Sequence, residues 1–254
     1  MAISWQWLFA RSCGIPVARG GTVALFLTAW VIYLADRFGD SLSVDARGLL
    51  SLRQRFCLRH RAAWVFGLVG IALADLFVIL AELDHGTIRS GVIVGACAVV
   101  YLVLNRGSPS LWQTLPLKEL SIGFLFAGGT MVGLGAGLTS VALPGWLLFA
   151  SLCSLNCVSI AVWERKLDLA QARISIASVF PCVRRALGPM LGMLLIAGGV
   201  LAGVASNGRI VFGCVAASAA LLALLHYVGN AIQPDVRTAL ADFVLLTPFV
   251  ALLS

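Results

Sequence analysis

The sequence predicts an all-α, polytopic membrane helical bundle: one domain over residues 1–254, with about eight transmembrane helices (eight or nine). Three observations carry this. Hydrophobic residues make up 60% of the 254, and the mean hydropathy is +0.99. Only 11% of residues are charged, where a soluble domain of this length carries about a quarter. The apolar residues also fall in long runs divided by short charged stretches.

The chain opens with ISWQWLF. Its apolar run, Trp5 to Ala10, is too short to span a bilayer, and the segment lacks the basic start and cleavage site of a signal peptide. It reads as an interfacial segment anchored by Trp5 and Trp7. Eight apolar segments follow, at roughly 21–35, 62–82, 91–105, 119–136, 143–163, 187–205, 209–228 and 238–253. The first and third are short for a hydrocarbon core of about 30 Å.

Orientation follows from the basic residues. Connections 36–61, 105–118, 164–186 and 229–237 carry fourteen of the 18 lysines and arginines, and the alternate connections carry only Arg89 and Arg209. That bias places the first set of loops in the cytoplasm, in a multi-pass protein of the bacterial inner-membrane kind. It also accounts for the net charge of +7 without nucleic acid, which is not expected as a partner. The seven cysteines show no CxxC and read as small buried hydrophobes. His226, in an apolar run, reads as a satisfied interior histidine. Asp75 and Asp242 lie inside apolar segments, where an acid is either functional or paired.

Two charged stretches stand apart. ADRFGD, residues 35–40, ends the first apolar segment, and WERKLD, residues 163–168, ends the fifth, about half a chain later. Asp36 and Asp40 are four residues apart, as are Glu164 and Asp168, so on helices each pair shares one face. Like charges at this spacing destabilise a helix by a few tenths of a kcal/mol, and a membrane edge adds to that. Mg²⁺ removes the conflict: it takes one or two carboxylates and completes its shell with water and phosphate. Two facing pairs would hold two or more Mg²⁺ around a diphosphate, with Arg37, Arg165, Lys166 and Arg47 nearby to neutralise it. The corresponding positions suggest two pseudo-repeated four-helix halves. Each acidic pair read alone is more often an ordinary helix-end feature paired with neighbouring arginines, and it is the two pairs in corresponding positions that favour the metal.

At these residues the chain resembles the UbiA superfamily of intramembrane prenyltransferases. I-Y-L-A-D-R-F-G-D, residues 32–40, is similar to the family's first acidic motif through Asp36, Arg37 and Asp40, with Ile32 and Tyr33 in place of an Asn-Asp pair. Y-L-V-L-N-R, residues 101–106, keeps Tyr101 and Arg106 of a Y-x-x-x-K-R motif and has Asn105 for the lysine; Lys118 is a substitute. Glu164 and Asp168 match the second acidic pair, behind N-C-V-S-I-A-V, which opens on Asn156. The resemblance implies a UbiA-like bundle whose first helix is lost or reduced to residues 3–14. It also implies a Mg²⁺-dependent transfer of a polyprenyl group from its diphosphate to a lipophilic or aromatic acceptor, inside a chamber open to membrane lipid. Asp36, Asp40, Glu164 and Asp168 are then the metal ligands and catalytic set. Arg37, Arg106, Arg165, Lys166, Tyr101, Asn105, Lys118 and Asn156 bind diphosphate or prenyl chain. Trp30, Tyr33, Phe126 and Trp163 are aromatic residues for the wall. Three other readings stay open on the sequence alone: a terpene cyclase of the same superfamily, a catalytically degenerate isoprenoid-binding relative, and an unrelated small transporter.

Overall fold

The computed structural model describes residues 1–42, 52–107, 117–137, 142–171 and 174–253. Among these there are helices and connections, and no strand. Helix α1 (Ala2–Cys13) is followed by α2 (Arg19–Leu42), α3 (Leu52–Arg59), α4 (Arg61–Glu82), α5 (His85–Gly107) and α6 (Lys118–Met131), which runs into a 3₁₀ turn (Val132–Gly137). Then come α7 (Ala142–Ala170), the short α8 (Ile176–Val179), α9 (Val183–Val204), α10 (Arg209–Val228), α11 (Pro234–Val244) and α12 (Thr247–Leu253). Five of the described helices, α4, α5, α7, α9 and α10, are long and apolar enough to cross a membrane.

Burial ranks these helices. The apolar window of α7 is 67% buried, whereas those of α4 and α5 are 6% buried. So α7 is the axis of the bundle, and α4 and α5 are its outer wall. Phe66, Leu73, Phe77 and Leu80 of α4 and Val92, Ile93 and Val103 of α5 are all exposed. An apolar surface of that extent has lipid as its natural solvent.

Between lipid-embedded helices, close packing replaces the hydrophobic effect as the source of cohesion. Gly123 of α6 lies directly on Ser154 of α7; a Cβ at 123 would collide with the Ser154 backbone and hydroxyl. The Ser154 hydroxyl donates to the Ala150 carbonyl at 2.8 Å, which keeps it against its own helix. A few residues on, the Phe126 and Phe149 rings lie 6.2 Å apart. The two helices are therefore antiparallel and nearly in contact at their crossing. On the other side, Leu187, Leu191, Leu194 and Gly198 are the buried residues of α9, and a Cβ at Gly198 would lie 3.0 Å from the Phe212 carbonyl oxygen of α10.

The N-terminal segment departs from the sequence expectation. Trp7 is 52% exposed but Trp5 is fully buried, so Trp5 is a core residue and no interfacial anchor. Its ring stacks on Phe149 with centroids 4.1 Å apart, and its Nε1–H donates to the Leu245 carbonyl at 2.9 Å. With both its apolar body and its one donor satisfied, Trp5 pins α1 between α7 and the turn joining α11 to α12. A Cβ at Gly145, near the start of α7, would meet the Phe9 ring, so α1 runs antiparallel to α7. Twelve residues give a length of about 18 Å, so α1 covers only the half of α7 that holds Gly145 and Phe149.

Other boundaries also shift. Helix α2 continues through ADRFGD to Leu42, because neither acids nor arginine interrupt a helix. The segment expected at 119–136 leaves the α conformation after Met131, and Gly135 has φ +61°, a value only glycine adopts without strain. The segment expected at 238–253 is two helices broken at Leu245 and Leu246, and the connection expected at 36–61 contains α3. At the start of α5 the Asp84 carboxylate accepts from the Thr87 hydroxyl at 2.7 Å and the Thr87 amide at 3.0 Å, an N-cap.

Two outcomes follow. Trp5→Ala is expected to destabilise the protein by about 3–5 kcal/mol, and Trp7→Ala by about 0.5 kcal/mol or less. Unfolding in detergent measures both, and equal effects would contradict the core role of Trp5. The Thr87 hydrogen bonds hold the Asp84 carboxyl below the usual aspartate range. Its contribution is therefore present above the ordinary aspartate pKa and is lost as pH falls through the depressed value. Asp84→Ala should lower the thermal midpoint at neutral pH and cost less in acid, once pH has fallen through that depressed value. A loss of the same size at neutral and acid pH would overturn the N-cap assignment.

Candidate functional site at one end of the bundle

The antiparallel contacts fix which residues share an end. The Thr28 hydroxyl of α2 donates to Asp75 Oδ2 of α4 at 2.6 Å, and Gly20 packs on Glu82, so α2 and α4 run in opposite directions. Gly91 of α5 faces Val132, and Gly128 of α6 faces Val94 of α5. Gly129 of α6 also faces Leu25 of α2. Helices α2, α5, α7 and α10 thus run one way, and α4, α6 and α9 the other. The last turns of α2, α5, α7 and α10 and the first turns of α6, α9 and α11 meet at one end. That end holds Asp36, Asp40, Tyr101, Asn105, Lys118, Glu164, Arg165, Lys166 and Asp168.

Depth can be counted from the contacts. Asp36 lies eleven residues beyond Leu25 on α2, and Lys118 eleven residues before Gly129 on α6. At 1.5 Å per residue, both are about 16 Å along from the Leu25–Gly129 contact. Glu164 lies ten residues beyond Ser154 on α7, and Lys118 five before Gly123. The second pair therefore sits about 7–8 Å further out than Lys118. The pairs share an end, and α1 packs against both α2 and α6.

Asp36 is half-buried and Asp168 buried. Glu164 Oε1 accepts from the Thr238 hydroxyl at 3.1 Å. Among the described residues, no three or more histidine, cysteine, aspartate or glutamate side chains gather as a metal group. The side chains of Arg37, Asp40 and Arg106, and residues Arg47 and Arg173, lie outside the described part. The donor chemistry suits Mg²⁺ pair by pair: each i,i+4 pair offers the one or two carboxylates that this ion takes alongside water and phosphate.

The cations are more committed than the sequence suggests. Arg165 Nε–H donates to the Ala177 carbonyl at 2.9 Å, and Lys118 Nζ reaches the Ile174 carbonyl at 3.5 Å. Both brace the segment that carries α8. Lys166 is exposed. Asn156 is 5% exposed, with its Oδ1 buried and unpartnered; it sits on the buried face of α7, on the site side of Ser154. Tyr101 lines an open-sided apolar groove of about 410 Å³ between α5, α6 and α7, with Ile93, Cys97, Leu104, Phe124 and Trp146.

Several residues here escaped the sequence reading. Glu119, 4% exposed, accepts the Ile176 amide at 2.9 Å and so ties α6 to α8. Arg237 was only one loop cation among fourteen. It is 9% exposed, its Nη2 donates to the carbonyls of Leu225 and His226 at 3.0 and 2.9 Å, and its guanidinium carbon lies 4.1 Å from the centre of the Trp163 ring. Nothing in the pattern around Arg237 separates it from Arg184 or Arg185. His226 differs from expectation: its Nδ1 is buried without a hydrogen-bond partner. Asp75, with Thr28 on one oxygen, leaves Oδ1 buried and unpartnered, while Asp242 lies on the exposed side of α11.

Compared with known protein families, curated proteins and solved structures, the chain matches none.

Glu119→Ala removes the acceptor for the Ile176 amide, a change of about 1–3 kcal/mol for a buried polar group. Hydrogen exchange of amides 174–180 should speed up by about tenfold or more, and Glu119→Gln, which keeps an acceptor, should preserve most protection. Unchanged exchange in Glu119→Ala would contradict the brace.

Proposed function

We propose that this chain is a Mg²⁺-dependent intramembrane prenyltransferase of the UbiA kind. It would move a polyprenyl group from its diphosphate to a lipophilic or aromatic acceptor. The observation that carries the reading is the placement of two i,i+4 carboxylate pairs on the last turns of α2 and α7, at one end of an apolar bundle. The open-sided groove between α5, α6 and α7, whose lining includes Tyr101 and Leu104 of α5, supports it with a place for a hydrocarbon chain. The protein is then a multi-pass inner-membrane protein with its acidic end toward the cytoplasm, the side of the basic connections.

Mg²⁺ bound at the pairs would supply charge stabilisation for the departing diphosphate. The chain's own residues do the rest. Asp36 and Asp40 on one side, and Glu164 and Asp168 on the other, hold the charged head at the membrane edge. Arg37, Arg106 and Lys166 add positive charge around it. Tyr101 and the groove wall of Phe124 and Trp146 align the apolar length of the prenyl chain away from the charged head. The C1–O bond breaks with its electron pair leaving on the diphosphate. The acceptor carbon supplies the pair for the new C–C bond and then releases its proton to solvent at the open end.

The test is diphosphate release by purified protein in detergent, with Mg²⁺ and farnesyl, geranylgeranyl or longer diphosphates, with and without an aromatic acceptor. Acceptor-dependent release is expected, and Asp36→Ala and Asp168→Ala should each lower it by at least a hundredfold, the scale of losing a principal electrostatic group. Wild-type rates in either variant would sink the metal assignment. Release without acceptor, giving a cyclic hydrocarbon, would replace transfer by cyclisation, and no release with any diphosphate would refute the enzyme.

A further inference from the structure

The N-terminal turn of α11 touches both the second acidic pair and the helix ends around it. Thr238, 2% exposed, has its hydroxyl 3.1 Å from Glu164 Oε1 and at the same distance from the Pro234 carbonyl. It is one donor shared by two acceptors. The adjacent Arg237 reaches back to α10. Its Nη2 sits between the carbonyls of Leu225 and His226, in the last turn of a helix that ends at Val228. A cation there satisfies carbonyls that have no intrahelical partner and complements the helix dipole. The same guanidinium lies over Trp163, the residue immediately before Glu164, in the cation–π geometry.

Gly229 makes this possible. A side chain at 229 would land on Arg237 Nε and Cζ. With φ at −65°, its glycine is required for close approach and not for backbone conformation. Arg237 Nε is buried without a hydrogen-bond partner, while Nη2 is taken up by the two α10 carbonyls. Arg237 is therefore a staple and not an anion-binding group.

We propose that Arg237 and Thr238 are the positioning residues of the second acidic pair. Arg237 locks the Trp163 turn of α7 to the end of α10, and Thr238 sets the direction of the Glu164 carboxylate. The inference rests on the metal role given to that pair above. Without the Thr238 donor, Glu164 keeps its charge but loses one of the contacts that orient its carboxylate, and loss of such an outer-shell partner weakens a metal site.

Mn²⁺ binding, read by electron paramagnetic resonance on the full chain in lipid nanodiscs, tests this without turnover. Thr238→Val, of nearly equal volume, should weaken Mn²⁺ binding about tenfold, and Thr238→Ser, which keeps the hydroxyl, should restore it. Arg237→Lys keeps the charge but loses the two-carbonyl fork, and should weaken binding and speed hydrogen exchange of amides 160–170. Wild-type Mn²⁺ affinity in Thr238→Val, or no Mn²⁺ binding by the native protein, would overturn the inference. The prenyl-transfer reading fails separately: Mn²⁺ binding that responds to Thr238 with no diphosphate release would leave this inference standing and remove that one.

Discussion

At the crossing of α6 and α7, Gly123 rests on the backbone of Ser154, and the positions of the other elements follow from that contact. Neither helix can slide along the other without a side chain meeting backbone, so the depth of α6 against α7 is fixed. Helix α6 in turn touches α5 through Gly128 and α2 through Gly129, and this transmits the register to the outer wall. A bundle in lipid has little else to use. Without water to expel, cohesion comes from contact area and from satisfied polar atoms, and small residues at crossings provide both.

The same constraint explains how the acids are held at one end. Helix α2 touches α6 at Leu25, and the remaining length of α2 carries Asp36 and Asp40 to the edge. Helix α7 is the most buried of the long helices, and its last turns carry Glu164 and Asp168. The short α1, held by the Trp5–Phe149 stack, fills only the opposite half of the axis. The buried polar face of α7, with Asn156 and Ser159, lies on the acidic side of Ser154.

Much of this was legible in the sequence because composition and hydrophobic run length report directly on lipid exposure. The apolar segments at 62–82 and 209–228 coincide closely with α4 and α10, since long runs bounded by charge leave little freedom. Breaks inside apolar runs were not legible. The end of α6 depends on a left-handed glycine at 135, and the α11–α12 break at Leu245 carries the carbonyl that receives Trp5. Trp5 itself misled for a physical reason: tryptophan favours both membrane interfaces and cores, and only a partner for its N–H decides between them. The acidic pairs stood out as charges in an apolar chain, whereas Arg237 and Thr238 act through distant partners that no local spacing encodes.

The proposed function requires the ends of α2 and α7 to form one metal–diphosphate site together. Anomalous scattering from a crystal grown with Mn²⁺ and a non-hydrolysable prenyl diphosphate analogue tests it directly. Metal peaks are expected about 2.0–2.3 Å from carboxylate oxygens of both pairs, Asp36 on one side and Glu164 or Asp168 on the other, with the diphosphate between. Metal at one pair alone, or the diphosphate bound away from both, would contradict it.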